Sequence, residues 1–291
     1  MQVCPICSQN AELSHKYDAI GSIFEEKKIL KCKHCEYHFC SEIGVDILNT
    51  YYESDYDQND YSRSKEFPLP KEYFKQRSNQ FKPDRSDVHV RSAKKHLGNH
   101  SPVSILDCGA GLGTTLNIAK NTFPNAELHA FENDLLAKQY LKYIGVNQHS
   151  GSLLDFLNQN DLRFDFIICS HFLEHVAPSA IHELTELLIK SLSDQGILLI
   201  EVPNDNWFRY PHKIHNLPPH VSFFSIKSLK HAFINLKIVS IGTIWGTSRK
   251  HVNIFSSFFD LVWRNLSKII YKIPYVSHGD AILIILKKKL S

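Results

Sequence analysis

The sequence predicts an α/β fold, a parallel sheet covered by helices on both faces, preceded by a small module built around cysteines. Three observations predict it. From residue 103 onward, continuous apolar runs alternate with helical patterns, as strands buried on both faces require. Five of the seven cysteines crowd into the first 40 residues. A glycine-rich turn joins the first apolar run to the helix after it, the place where open α/β sheets bind ligands.

From the N-terminus, Cys4, Cys7, Cys32 and Cys35 read as two C-x2-C knuckles with 24 residues between them. Two-residue spacing turns both thiolates of a knuckle toward one point. Two knuckles complete a structural zinc site of four sulfurs, with no coordination position left for substrate. The intervening residues are long enough for a strand pair that brings the knuckles together. A disulfide set is the alternative, and a reducing compartment disfavours it. Cys40 is the spare, a small buried side chain or a replacement for a knuckle member. The expected zinc-ribbon module covers 1–45.

Residues 46–100 are dense in tyrosine and charge and weak in apolar periodicity. Two helical patterns fit, around Lys71–Phe81 and Asp87–Leu97, the first preceded by Pro68 and Pro70. The segment reads as a solvated helical connector or as a lid over a polar cofactor. Beyond it, strands are expected at 103–108, 127–132, 164–170, 196–202, 236–244 and 280–287. Helices are expected at 114–121, 134–143, 179–192 and 226–234, with Ser179 and Ser225 as N-caps of the last two.

Composition narrows the function classes. With 43% hydrophobic and 22% charged residues, the chain is an ordinary globular one and not a disordered one. The net charge of +3 comes from 33 basic against 30 acidic residues. The first 100 residues carry 15 of each sign, without the basic excess that gripping a nucleic-acid backbone needs. No run of apolar residues is long enough to span a membrane, and the start lacks a signal-peptide pattern. A cytoplasmic protein is expected.

The functional signal is Asp107-Cys108-Gly109-Ala110-Gly111-Leu112-Gly113, between a strand and a helix. Its glycines permit a tight turn and a close backbone approach to a ligand. Glu132 ends the next strand, where a carboxylate can accept hydrogen bonds from both ribose hydroxyls. Asp107 at the mouth of the loop would repel a pyrophosphate and welcome a cationic amino group. S-adenosylmethionine, with an adenosine, an ammonium and a sulfonium, fits better than NAD or ATP. A glycine turn with no ligand is the alternative.

In ILDCGAGLGTTL (105–116), HAFEND (129–134), GSLLDF (151–156), FDFIICSHFLEHV (164–176) and GILLIEVPN (196–204), the chain resembles the class I S-adenosylmethionine-dependent methyltransferases. The resemblance implies a seven-stranded Rossmann-like sheet whose last strand is antiparallel. It places Asp107, Gly109, Gly111 and Gly113 beside the methionine part of the cofactor, Glu132 on the ribose and Asn133 near the adenine. Ser152 and Leu153 would contact the adenine edge. Relatives often have an aspartate where Ser152 stands, and Asp155 is the partial substitute. Ser170 completes the cofactor-binding set.

His171-Phe172-Leu173-Glu174-His175 is also H-x-x-E-H, the inverted zinc-protease pattern. It follows directly on an apolar strand and lies outside any long helix, which favours the methyltransferase reading. For proton removal from an acceptor, histidine is the usual base near neutral pH. His175, just past its strand, and His220, in HNLPPHVSFFS, are the two catalytic candidates; His215, Tyr210 and Trp207 are lesser candidates for lining the acceptor site. The second segment resembles the EH-x-x-YFS element of sugar C-methyltransferases, with Pro219 in place of the glutamate and Phe223-Phe224-Ser225 in place of the aromatic run.

The expected activity is methyl transfer from S-adenosylmethionine to a small-molecule acceptor such as a sugar or nucleotide sugar of polysaccharide or secondary metabolism. The rivals are an RNA methyltransferase with a zinc-ribbon RNA-binding module and a non-catalytic, cofactor-binding scaffold. Within an insertion at 247–276, residues 253–276 repeat aromatics at helical spacing among Arg264, Lys268 and Lys272. They read as a helix packed on the domain or on a second copy in a homodimer, as a wall of the acceptor pocket, or as a peripheral membrane-surface helix.

Overall fold

The computed structural model describes residues 2–17, 22–54, 67–79, 84–204, 219–244 and 281–289. The insertion at 247–276 and the lesser candidates Trp207, Tyr210 and His215 lie outside the described residues.

In chain order, β1 (Gln2–Val3), β2 (Asn10–Lys16), β3 (Lys28–Cys32) and β4 (His38–Phe39) carry the cysteines, and β2 and β3 are the expected strand pair. Three helices follow: α1 (Val45–Ser54), α2 (Pro70–Ser78) and α3 (Arg85–Leu97). Then come β5 (Ser104–Cys108), α4 (Thr114–Thr122), β6 (Glu127–Phe131), α5 (Leu135–Ile144), β7 (Asn147–His149), α6 (Leu153–Gln159) and β8 (Phe164–Ser170). Past two short 3-10 turns lie α7 (Ile181–Ser191), β9 (Leu192–Pro203), β10 (Ser222–Phe223), α8 (Ile226–Ala232), β11 (Leu236–Ile244) and β12 (Ala281–Lys288).

The main sheet has seven strands in the order β11-β12-β9-β8-β5-β6-β7. β5 runs parallel to β6 and β8, and β8 to β9, while β12 is antiparallel to both β9 and β11. This is the sheet the resemblance implies. Its inner strands, from β12 to β6, are largely buried on both faces, and successive side chains point to opposite sides. Ile105, Phe166, Ile168 and Leu199 face a layer containing Val90 and Ala93 of α3, Leu116 of α4 and Leu141 of α5. Leu106, Ile167, Leu198 and Ile200 face the other way, against Leu184 and Leu188 of α7 and Tyr37 and Phe39 of the cysteine segment.

The expected helix starts hold at one of two positions. Ser225 caps α8 in a reciprocal capping box with Ser228. Ser179 does not cap α7. Pro178 opens a 3-10 turn through Ala180, so Ser179 lies inside that turn and Ala180 stands at the N-cap without a side-chain hydrogen bond. α3 starts two residues earlier than its periodicity suggests, because Asp84 and Asp87 form a capping box there.

A second sheet, β1-β2-β3-β4-β10, joins the cysteine segment to residues 222–223. β10 pairs antiparallel with β4, Ser222 opposite Phe39 and Phe223 opposite His38. The strand directly after His220 therefore belongs to the cysteine sheet. No helix among the described residues is long and apolar enough to cross a membrane.

Candidate active site

The glycine loop leaves β5 at its carboxyl end with Gly109, Gly111 and Gly113 all at positive φ, 75°, 51° and 76°. Their surroundings differ. A Cβ on Gly109 would meet the Phe172 ring at 2.9 Å, and one on Gly113 would meet Leu141 and Ile144 of α5 at 2.8 and 2.9 Å. A Cβ on Gly111 would meet nothing within 4 Å. Gly109 and Gly113 thus seat the loop against its neighbours, and Gly111 borders open space where a ligand can lie.

Four of the loop amides already have protein acceptors. Gly109 and Ala110 donate to Phe131 O, Gly113 donates to Ala110 O, and Gly111 donates to Glu132 Oε2 at 2.7 Å. The other Glu132 oxygen accepts from the amides of Asn133 and Asp134. A phosphate cradle needs free loop amides; here a carboxylate spans the mouth instead. Beneath it Asp107 is 3% exposed, and no described group hydrogen-bonds its carboxylate. Burial and the charge of Glu132 push the Asp107 carboxyl up to about 7. Such a pair lowers its energy by admitting a cation and raises it by admitting an anion, which suits the ammonium of an amino acid and disfavours a pyrophosphate.

Asn133 bridges to Gly151 with both ends of its amide, Nδ2 donating to the carbonyl and Oδ1 accepting from the amide. Ser152 caps α6 by accepting from the Asp155 amide, and Leu153 is buried in the core. Asp155 is exposed in the first turn of α6. Ser170 donates to Glu201 at 3.3 Å.

The H-x-x-E-H run does not form a helix face. It begins at the end of β8 and continues through a 3-10 turn, Leu173–His175, with His171 at φ 52°. His171 Nδ1 contacts Glu174 at 3.1 Å and its Nε2 contacts Glu201 at 3.3 Å. Burial opposes a charge on His171, but these two carboxylates outweigh it and lift the imidazole to about 9. Glu201, fully buried, also takes Arg85 Nε at 2.8 Å and the Nε2 of His89. Burial opposes its charge, yet His171, His89 and Arg85 together hold it down to about 2.

His175 and His220 come together, ring centroids 4.8 Å apart and nearly perpendicular. Burial lowers both, His220 to about 4 with the neighbouring His175 adding to the effect. The backbone fixes their approach: the Val221 amide donates to Glu174 O at 2.9 Å, and the Tyr17 hydroxyl donates to His220 O.

The four cysteines also converge. Cys4 Sγ lies 3.5 Å from Cys35 Sγ, Cys7 Sγ 3.5 Å from Cys32 Sγ, and all seven cysteines are free thiols. The two knuckles repeat one geometry. Ser8 N donates to Cys4 O and Glu36 N to Cys32 O, with Ser8 and Glu36 both left-handed. A zinc ion with sulfurs at about 2.3 Å sets them about 3.8 Å apart, so the cluster fits one. The Cys35 thiol, as hydrogen-bond partner, holds Cys4 down to about 5. Cys40 stays outside the cluster, fully buried with its amide donating to Val221 O.

Arg85, His89 and Glu201 form a buried network behind His171 that the motifs did not single out. Two signals point to them: Arg85 and His89 stand four apart, on one helix face, and Glu201 is a lone charge near the end of an apolar run.

Comparison with known proteins bears on the family and the fold. Two proteins named ubiquinone biosynthesis O-methyltransferase, from Rickettsia bellii strains OSU 85-389 and RML369-C, are each 28% identical over 127 residues, 42% of this chain and 51% of theirs. The chain thus matches about half the length of these relatives. A SAM-dependent methyltransferase structure from Archaeoglobus fulgidus superposes with a TM-score of 0.51 at 20% identity, covering 74% of this chain and 100% of that one, which shows the shared fold. The family model described as a methyltransferase domain matches residues 71–237, more than half of the sequence, and the chain belongs to that family.

Proposed function

We propose that this chain transfers a methyl group from S-adenosylmethionine to a small hydroxylated acceptor. One observation carries the reading: the buried carboxylate of Asp107 beside Glu132, at the mouth of a glycine loop whose amides are largely spent. When bound, S-adenosylmethionine supplies an electrophilic methyl on a sulfonium. Asp107 would hold the ammonium, Glu132 would receive the ribose hydroxyls, and Gly111 would give room for the cofactor's amino-acid end. Asn133, Ser152, Leu153 and Ser170 would frame the adenosine side through the loops they fix. His175 and His220 would meet the acceptor, and neutral imidazoles there can orient a hydroxyl or take its proton.

The acceptor class we favour is a sugar or nucleotide sugar, supported by the HVSFFS segment and by a cysteine module ahead of the catalytic part, both of which resemble features of sugar C-methyltransferases. The names of the Rickettsia relatives support oxygen as the methylated atom. Cys4, Cys7, Cys32 and Cys35 would hold a structural zinc in a module of residues 1–45, ahead of a connector at 46–100 and the catalytic part at 101–291.

Calorimetry with S-adenosylmethionine, NADH and ATP tests the cofactor half. Binding of the first alone is expected; binding of a phosphate-bearing nucleotide in its place would end the reading. Labelled-methyl transfer over panels of nucleotide sugars and phenols tests the acceptor half. His220→Ala should abolish turnover on the acceptor found while leaving S-adenosylmethionine affinity near that of the parent.

A further inference from the structure

Glu174, His175 and His220 each offer one ligand atom, and the three atoms lie within 4.8 Å of one another. The carboxylate is divided in its duties. Glu174 Oε1 takes the His171 contact, while Oε2 is buried and without a hydrogen-bond partner among the described residues. His220 Nδ1 is likewise buried with no partner among the described residues. A buried carboxylate oxygen left bare costs free energy unless something of opposite charge satisfies it. Here the bare atoms belong to a set that can share one cation.

We infer that Glu174, His175 and His220 form a second metal site, for a divalent first-row transition ion. Two imidazoles and one carboxylate favour zinc, manganese or ferrous iron over magnesium or calcium, which prefer oxygen alone. Three protein ligands leave at least one position open, unlike the closed four-cysteine cluster. The surrounding groups suit ligation. His171, itself anchored on Glu201, fixes the other Glu174 oxygen, as partners behind metal ligands commonly do. The Tyr17 hydroxyl and the Val221–Glu174 backbone bond hold His220 in register with the 3-10 turn that carries the other two.

The site adjoins the glycine loop, because Phe172 of the same turn packs on Gly109. Its open position faces the acceptor only if the proposed methyl-transfer reading holds; the metal site itself stands without it. There the ion would bind the acceptor hydroxyl and lower its pKa, the proton passing to solvent. The imidazoles then serve as ligands, and no histidine has to act as the base.

Cobalt titration of the full-length, chelator-treated protein tests the site, because thiolate-bound cobalt has charge-transfer bands that a site of nitrogen and oxygen lacks. The parent should take up two equivalents. His220→Ala and Glu174→Gln should each take up one, keep the thiolate bands, and bind S-adenosylmethionine as the parent does; the last two readouts also show that the variants fold. A parent that binds one equivalent, with thiolate bands, overturns the site, as does a second equivalent retained by both variants. One equivalent without thiolate bands, lost in His220→Ala, would support this site and reject the cysteine one. Failure to bind S-adenosylmethionine with cobalt uptake as expected would count against the cofactor reading alone.

Discussion

In its proposed role, Asp107 would link stability to ligand binding through a single buried charge. Its carboxyl is raised from 3.8 to about 7, so between those values the folded chain holds a proton that the unfolded chain has lost. Folding stability therefore falls as pH rises through that window, and the full cost of the buried anion is present above it. A bound cation reverses the preference. S-adenosylmethionine affinity should weaken below about pH 7, with proton release at pH 6 measurable by calorimetry in buffers of different ionisation heat. Asp107→Asn should raise the melting temperature of the unliganded protein at pH 8 by several degrees and weaken cofactor binding by about 10- to 100-fold. A variant that loses stability and keeps its affinity would remove Asp107 from the site. The glycines give a second contrast. Gly113→Ala drives a Cβ into Leu141 and Ile144 from a left-handed backbone, and should cost about 3 kcal/mol or more in urea unfolding. Gly111→Ala meets open space, so its stability cost should stay at about 1–2 kcal/mol while its loss of cofactor affinity is the larger of the two.

At the scale of elements, β10 carries the most consequence for its length. Its two residues pair with β4, Ser222 Oγ accepts from the Tyr37 hydroxyl at 2.6 Å, and Ser225 Oγ donates to Cys35 O at 3.4 Å. The cysteine cluster is thereby tied to the segment that begins at His220. Cys32→Ser, which breaks the cluster, should speed amide exchange across 219–225 and lower acceptor turnover, while exchange across 105–116 and S-adenosylmethionine affinity stay near the parent values. Equal loosening of both segments would mean general unfolding and refute the link. Neither β10 nor β7 was legible in the sequence. Asn147–His149 has no apolar residue and Ser222–Phe223 is two residues long, and each is a strand only because a neighbouring backbone pairs with it. The central strands were legible because most of their residues are buried on both faces and apolar, as in the runs Phe166–Cys169 and Ile197–Ile200. Asp107 and Glu132 were legible for the complementary reason, as charges at the ends of such runs. Glu201 carried the same signal, but its meaning depends on Arg85 and His89, which only the packing of α3 on the sheet brings within reach.

Across the whole molecule, the apolar core ignores the order of the sequence. Cys4, Leu30, Cys35, Tyr37 and Phe39 belong to one buried cluster with Leu106, Ile167, Leu198 and Ile284, so the cysteine sheet and the main sheet share an interior. A second group joins Tyr17, Phe24 and Ile43 to Ala177, Val221 and Phe223. Two parts that share a core and a strand cannot melt independently, because exposing either interior exposes the other. Thermal unfolding followed by calorimetry should therefore show one transition for the described parts together. Removing the zinc proposed for the cysteine cluster should lower that single transition without splitting it, since an ion bound only by the folded state stabilises whatever unfolds with it. An early transition that takes the cysteine segment alone, with S-adenosylmethionine still shifting a later one, would show that the two sheets are energetically separate and that β10 is a contact of no mechanical weight.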